Sequence, residues 1–284
     1  MIEPRVHATL DPPSPDDELV TTDVGPHGDV VALWKSSAGF RITGHGSVIE
    51  TELAVEHPQL QPLPDGQVLV VQPRCRWSSK GVAPNAFVLD QDGQVVRSGV
   101  FGDGIQHVAT TPSGQTWVGY FDEGILGNLG WGFDPGPAPI GAHGLLRFDE
   151  NLDLAWEFPL DTPFDVIEDC YSLNVDGEVA WACYYSEFPV VRIEAGQVVG
   201  WTTVDAHGPI TLVSDGRHCA LVCHGHFEVG ELSSDGVFTV VRETALALPE
   251  GPVSLIGRGD TLHILDERTH YKVDLEQLMH PAGP

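Results

Sequence analysis

Lysine is scarce in this chain. Lys35, Lys80 and Lys272 are its lysines, and with arginine they make 14 basic residues against 41 acidic ones, a formal charge of −27. A field of that sign repels phosphate backbones and anionic lipid surfaces, which excludes nucleic acid and membranes as partners and leaves cations and basic proteins. The same charge also serves solubility with no partner at all. Long apolar runs are missing as well. No stretch approaches the roughly 20 apolar residues of a membrane span, and Met1-Ile2-Glu3-Pro4-Arg5 has neither a basic start nor an apolar core. The cysteines, Cys75, Cys170, Cys183, Cys219 and Cys223, are odd in number and form no Cys-x-x-Cys zinc signature. Cys183, Cys219 and Cys223 lie in apolar runs, where a thiol behaves as a small buried hydrophobe. Together these features predict a reduced, cytoplasmic protein.

What the chain does have is a repeat: an apolar strand, a tight turn centred on glycine, and a second apolar strand. The turns are Pro26-His27-Gly28-Asp29, Pro64-Asp65-Gly66-Gln67, Pro112-Ser113-Gly114-Gln115, Val175-Asp176-Gly177-Glu178, Ser214-Asp215-Gly216-Arg217 and Gly257-Arg258-Gly259-Asp260. Asp-Gly and Ser-Gly pairs supply the positive backbone angle such turns require. The following strands, among them Val68-Leu69-Val70-Val71 and Ala220-Leu221-Val222-Cys223, are apolar, and most units add a second hairpin, such as Ala86 to Val96, Leu145 to Trp156 and Val190 to Val199. Four strands per unit is the make-up of a propeller blade. From Gly28 the turn glycines recur at intervals of 38, 48, 63, 39 and 43, which gives six blades at a period near the roughly 40 to 50 residues of known propellers.

The long interval is filled by the loop Phe121 to His143, which occurs once. Closure is also legible: the last unit ends after Tyr271-Lys272-Val273-Asp274-Leu275, one strand short, and Arg5 to Leu10 belongs to no unit. The expectation is an all-β, six-bladed β-propeller with four-stranded blades, a single domain over residues 1–284. Its N-terminal strand completes the last blade, residues 1–20 form that strand and its connector, and 281–284 form a loose tail. Leu275 to Met279 carries the one helical signal.

On this repeat architecture the chain resembles six-bladed propellers of the broad NHL, gluconolactonase and strictosidine-synthase-like type. The resemblance covers nearly the whole chain and implies a site on the face where the segments leading into each blade meet the loops between second and third strands. Gluconolactonase- and paraoxonase-like members hold a divalent ion at the channel mouth. By position, His107, Asp169 and His207 would be its ligands here, oxygen and imidazole donors suited to a transition metal or, with more carboxylates, calcium. The Glu, Asn, Asn and Asp pattern of those enzymes is absent, and no catalytic motif is matched.

The same face gathers the other candidates. Asp122, Glu123 and Glu168, with Asp169, are the acid-base candidates, since closely placed carboxylates split their pKa values. Arg74, Arg76 and Trp77 offer anchors for acidic or planar groups, and Tyr120, Trp131, Tyr184, His224 and His226 complete the ligand-binding set. His224-Gly225-His226 places two imidazoles on one face of an extended strand, a metal pair or, read without a carboxylate neighbour, a solvated tight loop. Leu126, Leu129, Trp131 and Phe133 make the loop too apolar for an idle excursion, so it either plugs the channel mouth with Trp131 or walls a ligand.

Three functions follow as expectations. The first is a binding protein that holds a small molecule or partner peptide under the glycine- and aromatic-rich loop. The second is a metal-dependent hydrolase, lactonase or lyase with one divalent ion, and the third an acidic scaffold for a basic protein.

Overall fold

The turn Pro64-Asp65-Gly66 shows how the repeat is built. Asp65 and Gly66 both take positive φ, 62° and 71°, the geometry that folds one strand back on the next. In the computed structural model, which describes residues 1–44, 46–203, 208–223 and 225–280, such turns join strands into six four-stranded antiparallel sheets. The chain is a six-bladed β-propeller with four-stranded blades.

The chain divides into two compact units of three blades each, Pro12–Cys170 and Met1–Asp11 with Tyr171–Pro284. In the first unit, blade 1 runs Glu18–Val24, Val30–Ser36, Gly39–Thr43 and Ile49–Thr51. Blade 2 runs Gln59–Pro62, Val68–Val71, Ala86–Leu89 and Val95–Gly99, and blade 3 runs Ile105–Thr110, Thr116–Tyr120, Leu145–Phe148 and Leu154–Glu157. Blade 4 runs Asp169–Asp176, Val179–Tyr185, Val190–Glu194 and Gln197–Trp201, its first two residues, Asp169 and Cys170, belonging to the first unit and the rest to the second, and blade 5, in the second unit, runs Thr211–Ser214, His218–Cys223, His226–Leu232 and Phe238–Ala245. Blade 6 has Val253–Arg258, Thr261–Asp266 and Thr269–Asp274 of its own, and Arg5–Thr9 pairs antiparallel with the last of these as its outer strand. That strand is exposed along its length, so the closure is made by backbone pairing, extended by Leu10 N–H donating to the Arg268 carbonyl at 2.7 Å.

Second strands read as unbroken apolar runs because both of their faces are covered by neighbouring blades. Val68–Val71 is buried at every position, as is Thr116–Tyr120. Val31, Leu33, Ile42 and Ile49 of blade 1 pack on Leu60, Val68, Val70 and Leu89 of blade 2. Each such side chain is worth about 1.5–3 kcal/mol relative to exposure. A second repeat runs across the strands: Trp34 pairs with Arg41, Trp117 with Arg147 and Trp181 with Arg192. In the latter two the guanidinium stands 5.4 and 5.8 Å from the ring centre, within cation–π range.

Two short α-helices are present among the described residues. Helix α1, Asp122–Leu126, opens the long loop of blade 3, and helix α2, Leu275–Met279, lies where the helical signal was read. Neither is long or apolar enough to cross a membrane. All five cysteines are buried. The 281–284 tail lies outside the described residues.

Candidate functional site

The long loop is held down in the first unit by bonds to the loop of blade 2. The Trp131 indole N–H donates to the Cys75 carbonyl at 2.7 Å, and Trp77 N–H donates to the Leu129 carbonyl at 3.1 Å. Arg74 forms a two-pronged bond to Asp103, Nε to Oδ1 at 2.9 Å and Nη2 to Oδ2 at 3.0 Å, and an ion pair with Glu123 at 2.7 Å. Its guanidinium also lies over the Phe121 ring at 5.5 Å. Asp103 is buried, and its Oδ1 accepts from Cys75 N–H at 2.8 Å. At Gly104 the chains touch: φ is +69°, and a Cβ there would stand 2.3 Å from the Gly124 nitrogen in α1. The first half of the loop is therefore a fixed wall, tied down at Glu123, Leu129 and Trp131, and α1 is part of it.

This weld commits several candidates to structure. Arg74 is shared by Asp103 and Glu123, and the Glu123 carboxyl is held below its usual range by a hydrogen bond from Asn128 and then by Arg74. Trp131 is buried with its N–H satisfied, and Tyr120 is fully buried with its hydroxyl donating to the Phe101 carbonyl at 2.5 Å. Burial raises the Tyr120 pKa well above its ordinary value, so it stays neutral. Tyr184, in blade 4 of the second unit, is fully buried too. Trp77 is half-buried and pairs with Val82 in a two-rung hairpin, which leaves Arg76 exposed and without an ion pair among the described residues.

What the wall presents outward is charge of one sign. Asp122, in the first turn of α1, is exposed, and Leu126, one helical turn on, is 69% exposed. The structure places Asp122 within electrostatic reach of Asp169, whose carboxyl is pushed up to about 6 by burial first and by Asp122 second. Asp169 opens the first strand of blade 4, beside the buried Cys170. His107 lies close by. A Cβ on Gly119 would stand 2.8 Å from Cys170 Sγ and 3.5 Å from His107 Cδ2. Neither Asp122 nor Asp169 has an ion-pair partner among the described residues, and Glu168 next door is exposed.

Of the predicted metal set, His107 and Asp169 are thus brought to one region, while His207 lies outside the described residues. No third His, Cys, Asp or Glu among the described residues joins His107 and Asp169 in a group whose donor atoms all lie within 4.8 Å of one another. His224 also lies outside the described residues. His226, in the second unit, does have a carboxylate neighbour: Glu228, two positions on and therefore on the same strand face, 3.5 Å away. Reading that turn without a carboxylate missed a residue visible in the sequence, and it missed Cys223, which only the hairpin register places opposite His226.

No protein family matches the chain, and no curated protein matches it in sequence. Solved structures do match. Hsv2 from Kluyveromyces lactis is 11% identical with a TM-score of 0.51, over 94% of this chain and 78% of that one. Virginiamycin B lyase from Staphylococcus aureus is 13% identical, TM-score 0.49, over 92% and 81%. A putative oxidoreductase (glucose dehydrogenase) from Thermus thermophilus is 12% identical, TM-score 0.47, over 89% and 97%. The architecture expected from the resemblance to NHL and gluconolactonase-like propellers is the one observed. At such identities the likeness speaks for the fold alone.

Proposed function

We propose that the protein is a binding propeller whose site is the outer side of the Phe121–His143 wall, and that its ligand is a small organic cation carrying an apolar group. The observation that carries this reading is the Asp122–Asp169 pair. Two carboxylates close enough to interact, one of them partly desolvated, raise the free energy of the empty site, and a bound cation relieves both the repulsion and the lost hydration. Leu126, exposed one turn from Asp122, suits the apolar part of such a ligand. A net charge of −27 draws cations in from a distance and raises their rate of encounter. The firmly pinned loop supports the reading further, because a preformed wall loses little entropy when it binds.

Calorimetric titration with benzylammonium, an ammonium joined to one ring, tests it. Binding to the wild type that weakens at least about tenfold in Asp122→Asn and in Asp169→Asn supports the proposal, since each loss removes one charge-assisted contact. Equal binding in all three proteins, or none in the wild type, rejects it.

One observation favours a second reading, an enzyme of the hydrolase or lyase class. A carboxyl at about pH 6 is placed for general acid-base work near neutrality. On that reading Asp169 moves the proton, Asp122 sets its affinity and His107 lies at hand. A divalent ion beside His107 and Asp169 would polarise the substrate. Turnover of a lactone or ester panel that disappears in Asp169→Asn would favour it over simple binding.

A further inference from the structure

The hairpin between the second and third strands of blade 5 gathers three chemically different donors. Cys223 ends one strand, His226 begins the next, and the two are direct cross-strand partners. Glu228 follows on the same face, since side chains two apart on a strand point the same way. One ligand atom from each, the Cys223 Sγ, a His226 ring nitrogen and a Glu228 carboxylate oxygen, lies within 4.8 Å of the other two. The His226 Nε2 to Glu228 Oε1 separation is 3.5 Å. That is long for a hydrogen bond, and it matches the edge of about 3.4 Å in a tetrahedron with metal–ligand bonds near 2.1 Å.

The surroundings are those of a built site. Cys223 and Glu228 are 3% and 7% exposed. Cys223 packs in the apolar cluster of Trp181, Cys183, Val190 and Leu221, while the His226 side chain, 38% exposed, faces solvent. Among the described residues Glu228 has no Lys or Arg partner, and its ion-pair neighbour is His226. A buried carboxylate in that position gains from a cation, and no other described residue supplies one.

We propose that Cys223, His226 and Glu228 form a binding site for a divalent transition metal of the zinc class, with three protein ligands and a fourth position open towards solvent. A thiolate and an imidazole select zinc or cobalt over calcium and magnesium, which take oxygen donors alone. On binding, the metal–sulfur bond forms as the Cys223 S–H bond breaks, and the proton passes to solvent. The site lies in the second unit and its chemistry is independent of the Asp122–Asp169 pair, so either proposal stands if the other fails.

The test uses tag-free, full-length protein stripped with a chelator, dialysed and titrated with cobalt(II), then with zinc in competition. The expected result is one cobalt per chain with a thiolate-to-cobalt charge-transfer band in the near ultraviolet, lost in Cys223→Ser. Zinc affinity should fall at least about tenfold in the isosteric Glu228→Gln, since a lost ligand costs no less than a lost outer-shell partner. Absence of the band in the wild type, or an undiminished band in Cys223→Ser, overturns the proposal. Should Cys223→Ser not fold, an unchanged zinc affinity in Glu228→Gln overturns it equally.

Discussion

Replacing Asp169 by asparagine should stabilise the protein at neutral pH, an uncommon outcome for a half-buried polar position. The Asp169 carboxyl is raised from 3.8 to about 6 by burial and by Asp122, so the folded state holds its proton more tightly than the unfolded state. Between those two pH values the folded protein binds more protons, and stability therefore falls as pH rises through the window and is lowest above it. A shift of that size corresponds to at most about 3 kcal/mol at 1.36 kcal/mol per pH unit, and partial solvent access screens it to about 1–2 kcal/mol. The asparagine side chain carries no charge at any pH and escapes the penalty. Denaturant unfolding of both proteins from about pH 4 to 8 reads the difference directly. The variant should be more stable by about 1–2 kcal/mol at pH 7 to 8, with the gap closing near pH 4. A variant that is less stable at pH 7, or a gap that does not change with pH, would refute the reasoning.

Other consequences follow from the same structure. Arg74→Met leaves the buried Asp103 with the Cys75 N–H as its one remaining described partner. Denaturant unfolding should show a loss of about 2–3 kcal/mol, less than the 3–5 kcal/mol of a fully buried pair because Arg74 is partly open, and Arg74→Lys should not restore it. Gly104→Ala puts a Cβ 2.3 Å from the Gly124 nitrogen at positive φ. It should lower stability by more than about 1 kcal/mol and weaken benzylammonium binding, because α1 carries Asp122. In blade 6, His263 Nδ1 lies 2.9 Å from His270 Nε2, one donating and the other accepting, with both rings buried. Burial above all holds them low, His263 at about 3, with His270, Lys272, Arg258 and His7 adding repulsion, and His270 at about 4, with Lys272 and His7. The unfolded chain then takes up protons first, so stability is intact above about pH 6.5 and falls as pH drops toward 4. Thermal unfolding of His270→Gln should show a shallower loss over that range.

The fold was legible because its signals are local. The turn at Pro112-Ser113-Gly114-Gln115 and the run Val68–Val71 can each be recognised within a few residues, and the orphan strand Arg5–Thr9 could be assigned to blade 6 by counting strands. Helix α1 escaped notice because it is five residues long and carries Gly124 at its centre, too short for a helical period to show. The site was legible in its residue types and not in its pairings. Arg74 reads as an anchor for an acidic ligand until Asp103, 29 positions away, takes its guanidinium. Tyr120 and Tyr184 read as ligand contacts because aromatic residues near loops often are, yet both are fully buried, and burial is a tertiary fact. Asp122 and Asp169 both read as acid-base candidates, but they stand 47 positions apart in the sequence, and only folding sets one charge against the other.

The measurement that bears most directly on the proposed function is a carbon-13 titration of the Asp169 carboxyl, with and without saturating benzylammonium. The account predicts a midpoint near 6 in the free protein, lowered by Asp122→Asn and lowered by the ligand, since a cation held between the two carboxylates favours their charged forms. A midpoint near the ordinary 3.8 in the free protein, or one that the ligand leaves unmoved, would contradict it.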